Sequence, residues 1–234
     1  MKLQVLALAT LACAGLFVST AAAGNITVSA MTPTVDGDDI AMLNSAGQFD
    51  PGGNEGHIWS NRPVQGQTFT TGSNPTGYTL SSITLQNEEN TNGGNTATFT
   101  ARIGTVSGTT FSAIASETSN NSISYVPNDY MTFNFDAQVQ LDPDTQYGFD
   151  WTTDGAGFTT WANADSNYSG GEAFSSGANH IPNDANLQFR GVDRIFHLDI
   201  AANTAVPEPT SVAIWSLLGL GLAAFGYYRV RRQK

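Results

Sequence analysis

Apolar and polar residues alternate in short runs along most of the chain. In TATFTARIGTV, Ala97, Phe99, Ala101 and Ile103 fall on one side, and Thr96, Thr98, Thr100 and Arg102 fall on the other. The same two-residue period places Met131, Phe133 and Phe135 together in YMTFNFD. It places Tyr147, Phe149 and Trp151 together in QYGFDWTT, and Phe196, Leu198 and Ile200 together in RIFHLDIA. A period of two is that of a strand with one buried face. In YTLSSITLQ the phase switches between Leu80 and Ile83, which predicts a β-bulge near Ser81-Ser82. Turn residues separate the runs at Asn92-Gly93-Gly94-Asn95, Ser107-Gly108, Pro127-Asn128-Asp129 and Asp142-Pro143-Asp144. The pattern predicts about eight to ten strands, each with one apolar face, and such strands need a second sheet to cover them. The expected fold is all-β, a jelly-roll-like antiparallel β-sandwich. Residues 36–62 and 163–186, rich in Gly, Asn and Asp, are expected to be long loops.

The alternation fails at both ends. At the start, Lys2 precedes an apolar stretch from Leu3 to Val18 and the small residues Ala21-Ala22-Ala23. That is the layout of a secretory signal peptide over residues 1–23, with cleavage expected between Ala23 and Gly24. At the other end, Ser211–Tyr228 carries no charge. A helix of that length spans about 27 Å, enough for a membrane's hydrocarbon core. Tyr227 and Tyr228 stand where an interfacial aromatic belt belongs, and the tail 229–234 supplies Arg229, Arg231, Arg232 and Lys234. Those cations are expected to stay cytoplasmic, so residues 24–206 would form one exported domain, facing outward. Pro207-Glu208-Pro209 separates that domain from the helix. Its two prolines keep the junction extended and open to a protease.

The order Pro-Glu-Pro, apolar helix and arginine cluster over residues 207–234 resembles a PEP-CTERM sorting signal. The resemblance implies a bacterial exported protein whose sorting motif is recognised by an exosortase-like transpeptidase. The chain would be held in the membrane by the helix, then cut and passed to the cell surface or extracellular matrix. Further in, the TFTT strand, the LDPDTQY turn and YSGG are similar to the choice-of-anchor β-sandwich domains of bacterial surface proteins. That similarity implies surface display and carries no catalytic residues.

Charge narrows the partners. The exported part keeps four arginines, no lysine and nineteen of the chain's 20 acids, a formal charge of −15. Nucleic acid and anionic lipid are poor partners for such a surface. Cys13, the chain's one cysteine, lies in the signal peptide, so the exported part has no disulfide or thiol nucleophile.

No catalytic motif is present. There is no Gly-x-Ser-x-Gly elbow and no His-Glu-x-x-His, and His57, His180 and His197 read as surface or satisfied histidines. His197 alternates with Phe196 and Leu198, so it is expected on the opposite face of its strand. No cofactor is required. Calcium is the candidate ion, because Asp36, Asp38 and Asp39 put three hard oxygen donors within four residues, although residue 47 is Gly where an EF-hand loop has Glu. Sugar is the candidate ligand, through Trp59, Trp161 and Tyr168 among the neighbouring amides and acids. The leading expectation is therefore a non-enzymatic display or adhesion domain. A carbohydrate-binding module for exopolysaccharide stands second, and a secreted hydrolase using a carboxylate pair stands third.

Overall fold

The computed structural model describes residues 24–43, 48–49, 64–87, 96–124, 126–153, 160, 162–163, 168–176, 184–189, 191–204, 216–222 and 228. With strands numbered along the chain, the first sheet has the order β1 (Asn25–Ser29), β10 (Tyr130–Leu141), β5 (Tyr78–Gln86), β16 (Phe196–Ala202) and β2 (Ile40–Met42). The second runs β14 (Gln188–Phe189), β13 (Ala173–Ser176), β4 (Val64–Thr70), β11 (Gln146–Thr153), β7 (Phe99–Ser107) and β8 (Thr110–Thr118). Two small sheets complete the set: β15 (Asp193–Arg194), β12 (Ala162–Asn163) and β3 (Gln48–Phe49), and the pair β6 (Thr96–Ala97) and β9 (Ile123–Ser124). Every pairing is antiparallel.

The two large sheets form the expected sandwich. Without the flanking strands β1, β13 and β14 they read β2-β16-β5-β10 and β4-β11-β7-β8. This is the winding of a jelly roll, in which strands cross between the sheets instead of pairing only as hairpins. The apolar sets of the alternating runs meet between the sheets. Phe99, Ala101, Ile103, Met131, Phe133, Tyr147, Phe149, Trp151, Phe196, Leu198 and Ile200 all belong to one buried cluster. Phe133 stands edge-on to Trp151 at 6.0 Å, and Phe149 lies 5.6 Å from Phe196, so each of these ring contacts ties one sheet to the other.

The expected bulge is in place. β5 pairs Ser82 with Asp199 and Leu80 with Ile200, leaving Ser81 as the extra residue. A second irregularity faces it, where β10 passes from Asn134 to Val139 while β5 advances only from Ser82 to Leu80. The buried Glu117 carboxylate accepts hydrogen bonds from the Asp136 and Ala137 amides there, at 3.0 and 3.3 Å. A charged acceptor thus satisfies two backbone donors that leave the ladder.

Three turns also match their residues. Gly108 (φ 57), Asn128 (φ 68) and Asp144 (φ 48) are left-handed, a conformation that Gly, Asn and Asp tolerate best. The Asp142-Pro143-Asp144 turn is locked from outside: the Asp142 amide donates to the Tyr147 hydroxyl at 2.9 Å, and Thr71 Oγ1 donates to the Asp142 carbonyl at 2.7 Å.

The two expected long loops are interrupted by strands. β2 and β3 form within 36–62, and β13 forms within 163–186. These strands are two to four residues long, too short to show alternation, and their existence depends on the neighbour they pair with: β2 adds to β16, and β13 adds to β4.

Candidate functional site

β7 and β11 place Arg102 directly opposite Asp150, both pointing away from the main core. The pairing is bidentate, with Nε to Oδ1 at 2.8 Å and Nη2 to Oδ2 at 2.6 Å. From the segment before β14, Asp184 takes the other side of the same guanidinium at 2.9 and 3.2 Å. The guanidinium carbon lies 4.8 Å from the centre of the Phe111 ring. Asp150 is fully buried and Asp184 is half exposed. Burial pushes the Asp150 carboxyl up to about 6, with the Asp184 charge adding to the effect, and Arg102 only partly offsets this. Burial likewise opposes the Arg102 charge, and the two carboxylates outweigh it.

This clamp holds a second apolar layer on the outside of the second sheet, where Phe111, Phe174 and Leu187 are buried with Val106 and Phe189 against them. The layer needs small residues beneath it. A Cβ at Gly66 would lie 2.3 Å from the Phe174 ring, and one at Gly148 would lie 2.9 Å from a Val106 methyl. The acids Asp142, Asp144 and Asp150 are near one another in sequence, yet the fold separates them: the first two are exposed in a turn and the third is buried against Arg102.

Beside this layer lies an open groove of about 500 Å³. Its lining includes Thr68 and Thr70 of β4, Gln146 of β11, Glu172 and Phe189, together with four glycines, Gly108, Gly170, Gly171 and Gly191. The 170–172 stretch is seated on β4: Thr70 Oγ1 donates to the Gly170 carbonyl at 2.9 Å, and the Glu172 amide donates to Thr68 Oγ1 at 2.8 Å. A Cβ at Gly171 would be 2.1 Å from the Thr68 carbonyl oxygen, which accounts for the glycine.

Of the three expected sugar-contact residues, Trp59 and Trp161 lie outside the described residues. Tyr168 is half-buried. Its ring stands edge-on to Phe196 at 5.3 Å and its hydroxyl accepts the Thr70 amide at 3.3 Å, so the side chain packs under the groove's rim. Burial pushes its hydroxyl up to about 12.

The three expected calcium donors sit in the loop before β2. Asp36 and Asp38 are exposed. Asp39 turns inward across the first sheet: Oδ2 meets His197 Nε2 at 2.9 Å and the Asp36 amide at 2.8 Å, and Oδ1 accepts the Ile200 amide at 3.2 Å. Asp38 Oδ2 accepts the Ala202 amide at 3.0 Å. Burial works against the Asp39 charge, but these three hydrogen bonds hold its carboxyl below the usual range. Two of the three acids therefore staple the loop to β16. Among the described residues, no three acid or histidine side chains converge as metal ligands would. His197 lies on the face opposite Phe196 and Leu198, as its position in the run predicts, and Asp39 satisfies it.

At the termini, Ala23 lies outside the described residues and Gly24 is already inside the fold. Its carbonyl accepts the Asn120 amide at 2.8 Å, and a Cβ there would meet the Phe133 ring at 2.3 Å. Pro207, Glu208, Pro209 and the basic residues Arg229, Arg231, Arg232 and Lys234 lie outside the described residues. Residues 216–222 are helical and wholly exposed, including Leu217, Leu218, Leu220 and Leu222. Among the described residues, no helix is long and apolar enough to cross a membrane.

Among the described residues, the apolar helical stretch 216–222 contributes no side chain to the sandwich's buried clusters. Residues 205–232 match the PEP-CTERM protein-sorting motif. The motif implies export and sorting to the cell surface. No curated protein and no solved structure shows significant similarity to the chain.

Proposed function

We propose that the sandwich is a non-enzymatic display domain, delivered to the cell surface or matrix by its tail. The signal peptide carries residues 24–206 across the membrane and is removed after Ala23. The apolar helix of about residues 211–228 then holds the chain, with the basic end on the cytoplasmic side. An exosortase-like transpeptidase recognises Pro207-Glu208-Pro209 and releases the domain from its helix. The observation that carries this reading is the motif match at residues 205–232. The exposed leucines of 216–222 support it, because four large apolar side chains in a single short helical stretch are costly in water and at home in lipid. The two-sheet sandwich is compatible with a displayed domain of the choice-of-anchor kind.

Intact mass of the protein in its final location tests the proposal. Loss of both termini, with the new C-terminus near Pro209, is the expected result. A mature chain still ending at Lys234 overturns the processing step.

A further inference from the structure

The groove on the outer face of the second sheet has a chemistry that selects among ligand classes. Its volume, about 500 Å³, lies in the range of small-ligand sites. Among the described residues its polar groups are hydroxyls (Thr68, Thr70, Ser169), one side-chain amide (Gln146), one carboxylate (Glu172) and the backbone at two open glycines, Gly108 and Gly191. Gly108 and Gly191 have positive φ, and nothing lies within 4 Å of the position a Cβ would take, so their backbones face open space.

Three ligand classes fit poorly. An anionic group would meet Glu172 and find no cation among the described lining residues, and Arg102, on the same face, is already held by two carboxylates. A wholly apolar ligand would find only Val106 and Phe189. A divalent ion would find a single acid. What remains is a neutral molecule rich in hydroxyls with at least one apolar face.

Phe189 supplies the complement to that face. One side of its ring is braced by Phe174, edge-on at 6.1 Å, and the side chain remains partly exposed at the groove. Glu172 is oriented for hydrogen bonding: its Oε2 accepts the Gly191 amide at 3.0 Å, leaving Oε1 as an acceptor. The exposed Gln146 amide makes no hydrogen bond among the described residues, so both its donor and its acceptor can serve a ligand. From this geometry we propose that the groove binds a neutral glycan, with Phe189 under a sugar ring and Gln146 and Glu172 on its hydroxyls. The proposal needs an exported domain but no particular fate of the tail.

Native affinity electrophoresis of the full-length chain in detergent micelles tests it. The gels contain a neutral glucan, a galactomannan, or alginate as the anionic control. In a further arm they contain the neutral and acidic fractions of the producing cells' own extracellular polysaccharide. The expected result is retardation by a neutral polysaccharide and not by alginate. Retardation by the neutral cell fraction assigns the ligand to the cell's own matrix, and retardation by the glucan or galactomannan alone assigns it to foreign material; either supports the groove. Phe189→Ala should weaken binding on the order of tenfold, the loss expected of one stacked aromatic. Gln146→Ala should weaken it about fivefold. Because Gln146 is exposed, its variant decides the matter even if Phe189→Ala fails to fold. No retardation by any neutral polysaccharide, retardation by acidic ones only, or equal retardation of Gln146→Ala and the parent chain overturns the proposal. Processing of the tail is read by mass and not by mobility, so failure of one reading leaves the other standing.

Discussion

Asp150 and Asp39 are both carboxylates packed against a basic side chain, yet they respond to pH in opposite directions. Asp150 has its folded value raised to about 6 by burial, so the folded chain binds a proton that the unfolded chain releases between about pH 4 and 6. Its contribution to stability is therefore greatest below pH 4 and is lost as pH rises through 6. Relative to Asp150→Asn, the parent chain should lose up to about 3 kcal/mol of stability across that window. Chemical denaturation at pH 4.5 and 7.5 reads the difference, and a constant gap between the two chains refutes it. Asp39 has a lowered folded value, so its contribution is present above about pH 4 and is lost in stronger acid. Asp39→Asn should cost stability at neutral pH, and its gap from the parent chain should shrink steadily as the solution is acidified below the ordinary carboxylate range. Arg102→Met leaves Asp150 buried without its guanidinium and should cost about 3 kcal/mol at pH 7. That penalty should shrink at pH 5, where Asp150 takes up a proton. A pH-independent penalty would mean that Arg102 acts through packing alone.

At the scale of elements, close backbone approach governs the second sheet. Gly171, just before β13, lies against the Thr68 carbonyl, and Gly66 of β4 lies under the Phe174 ring, so at these two positions the close approach leaves no room for a side chain. Gly66→Ala should unseat Phe174 and lower stability by about 2 kcal/mol, a value in the range of overpacked cores. A melting temperature equal to the parent's would show that the ring moves aside without cost. The bulge opposite β5 is held in a similar way, by Glu117 and not by ladder bonds, and Glu117→Ala should cost about 2 kcal/mol through two unsatisfied amides. The Ser81 bulge was legible in the sequence because it shifts the phase of an apolar run. The bulge in β10 was not, because Phe133, Phe135, Val139 and Leu141 keep the same two-residue phase across it.

At the scale of the whole molecule, the folded domain and the tail follow separate rules. The sandwich buries its large side chains between two sheets, while residues 216–222 expose theirs. Gly24, the first residue after the expected cleavage point, is buried against Phe133, so β1 has no slack before it. Cleavage two residues further on would remove the Gly24 carbonyl that Asn120 binds. N-terminal sequencing of the exported protein should therefore begin at Gly24; a start at Ile26 or later would contradict the register of β1.

The sequence by itself determined the quantities that depend on local order. A period of two marks which face of Phe99–Ile103, Met131–Phe135, Tyr147–Trp151 and Phe196–Ile200 is buried, because neighbouring side chains in a strand point to opposite sides. Pro207-Glu208-Pro209 with the apolar run and arginines is legible for the same reason: a sorting signal is read by another molecule as a linear string. Tertiary structure decided what depends on distant partners. Arg102, Asp150 and Asp184 are 48 and 82 residues apart along the chain, and only the β7–β11 register and the returning segment before β14 bring them together. The groove likewise draws on β4, β11, the Gly108 turn and the 169–172 stretch, none of which carries a signal for the others. Asp39 shows the difference most directly: the sequence places it beside Asp36 and Asp38, and only the fold brings it onto His197, 158 residues away.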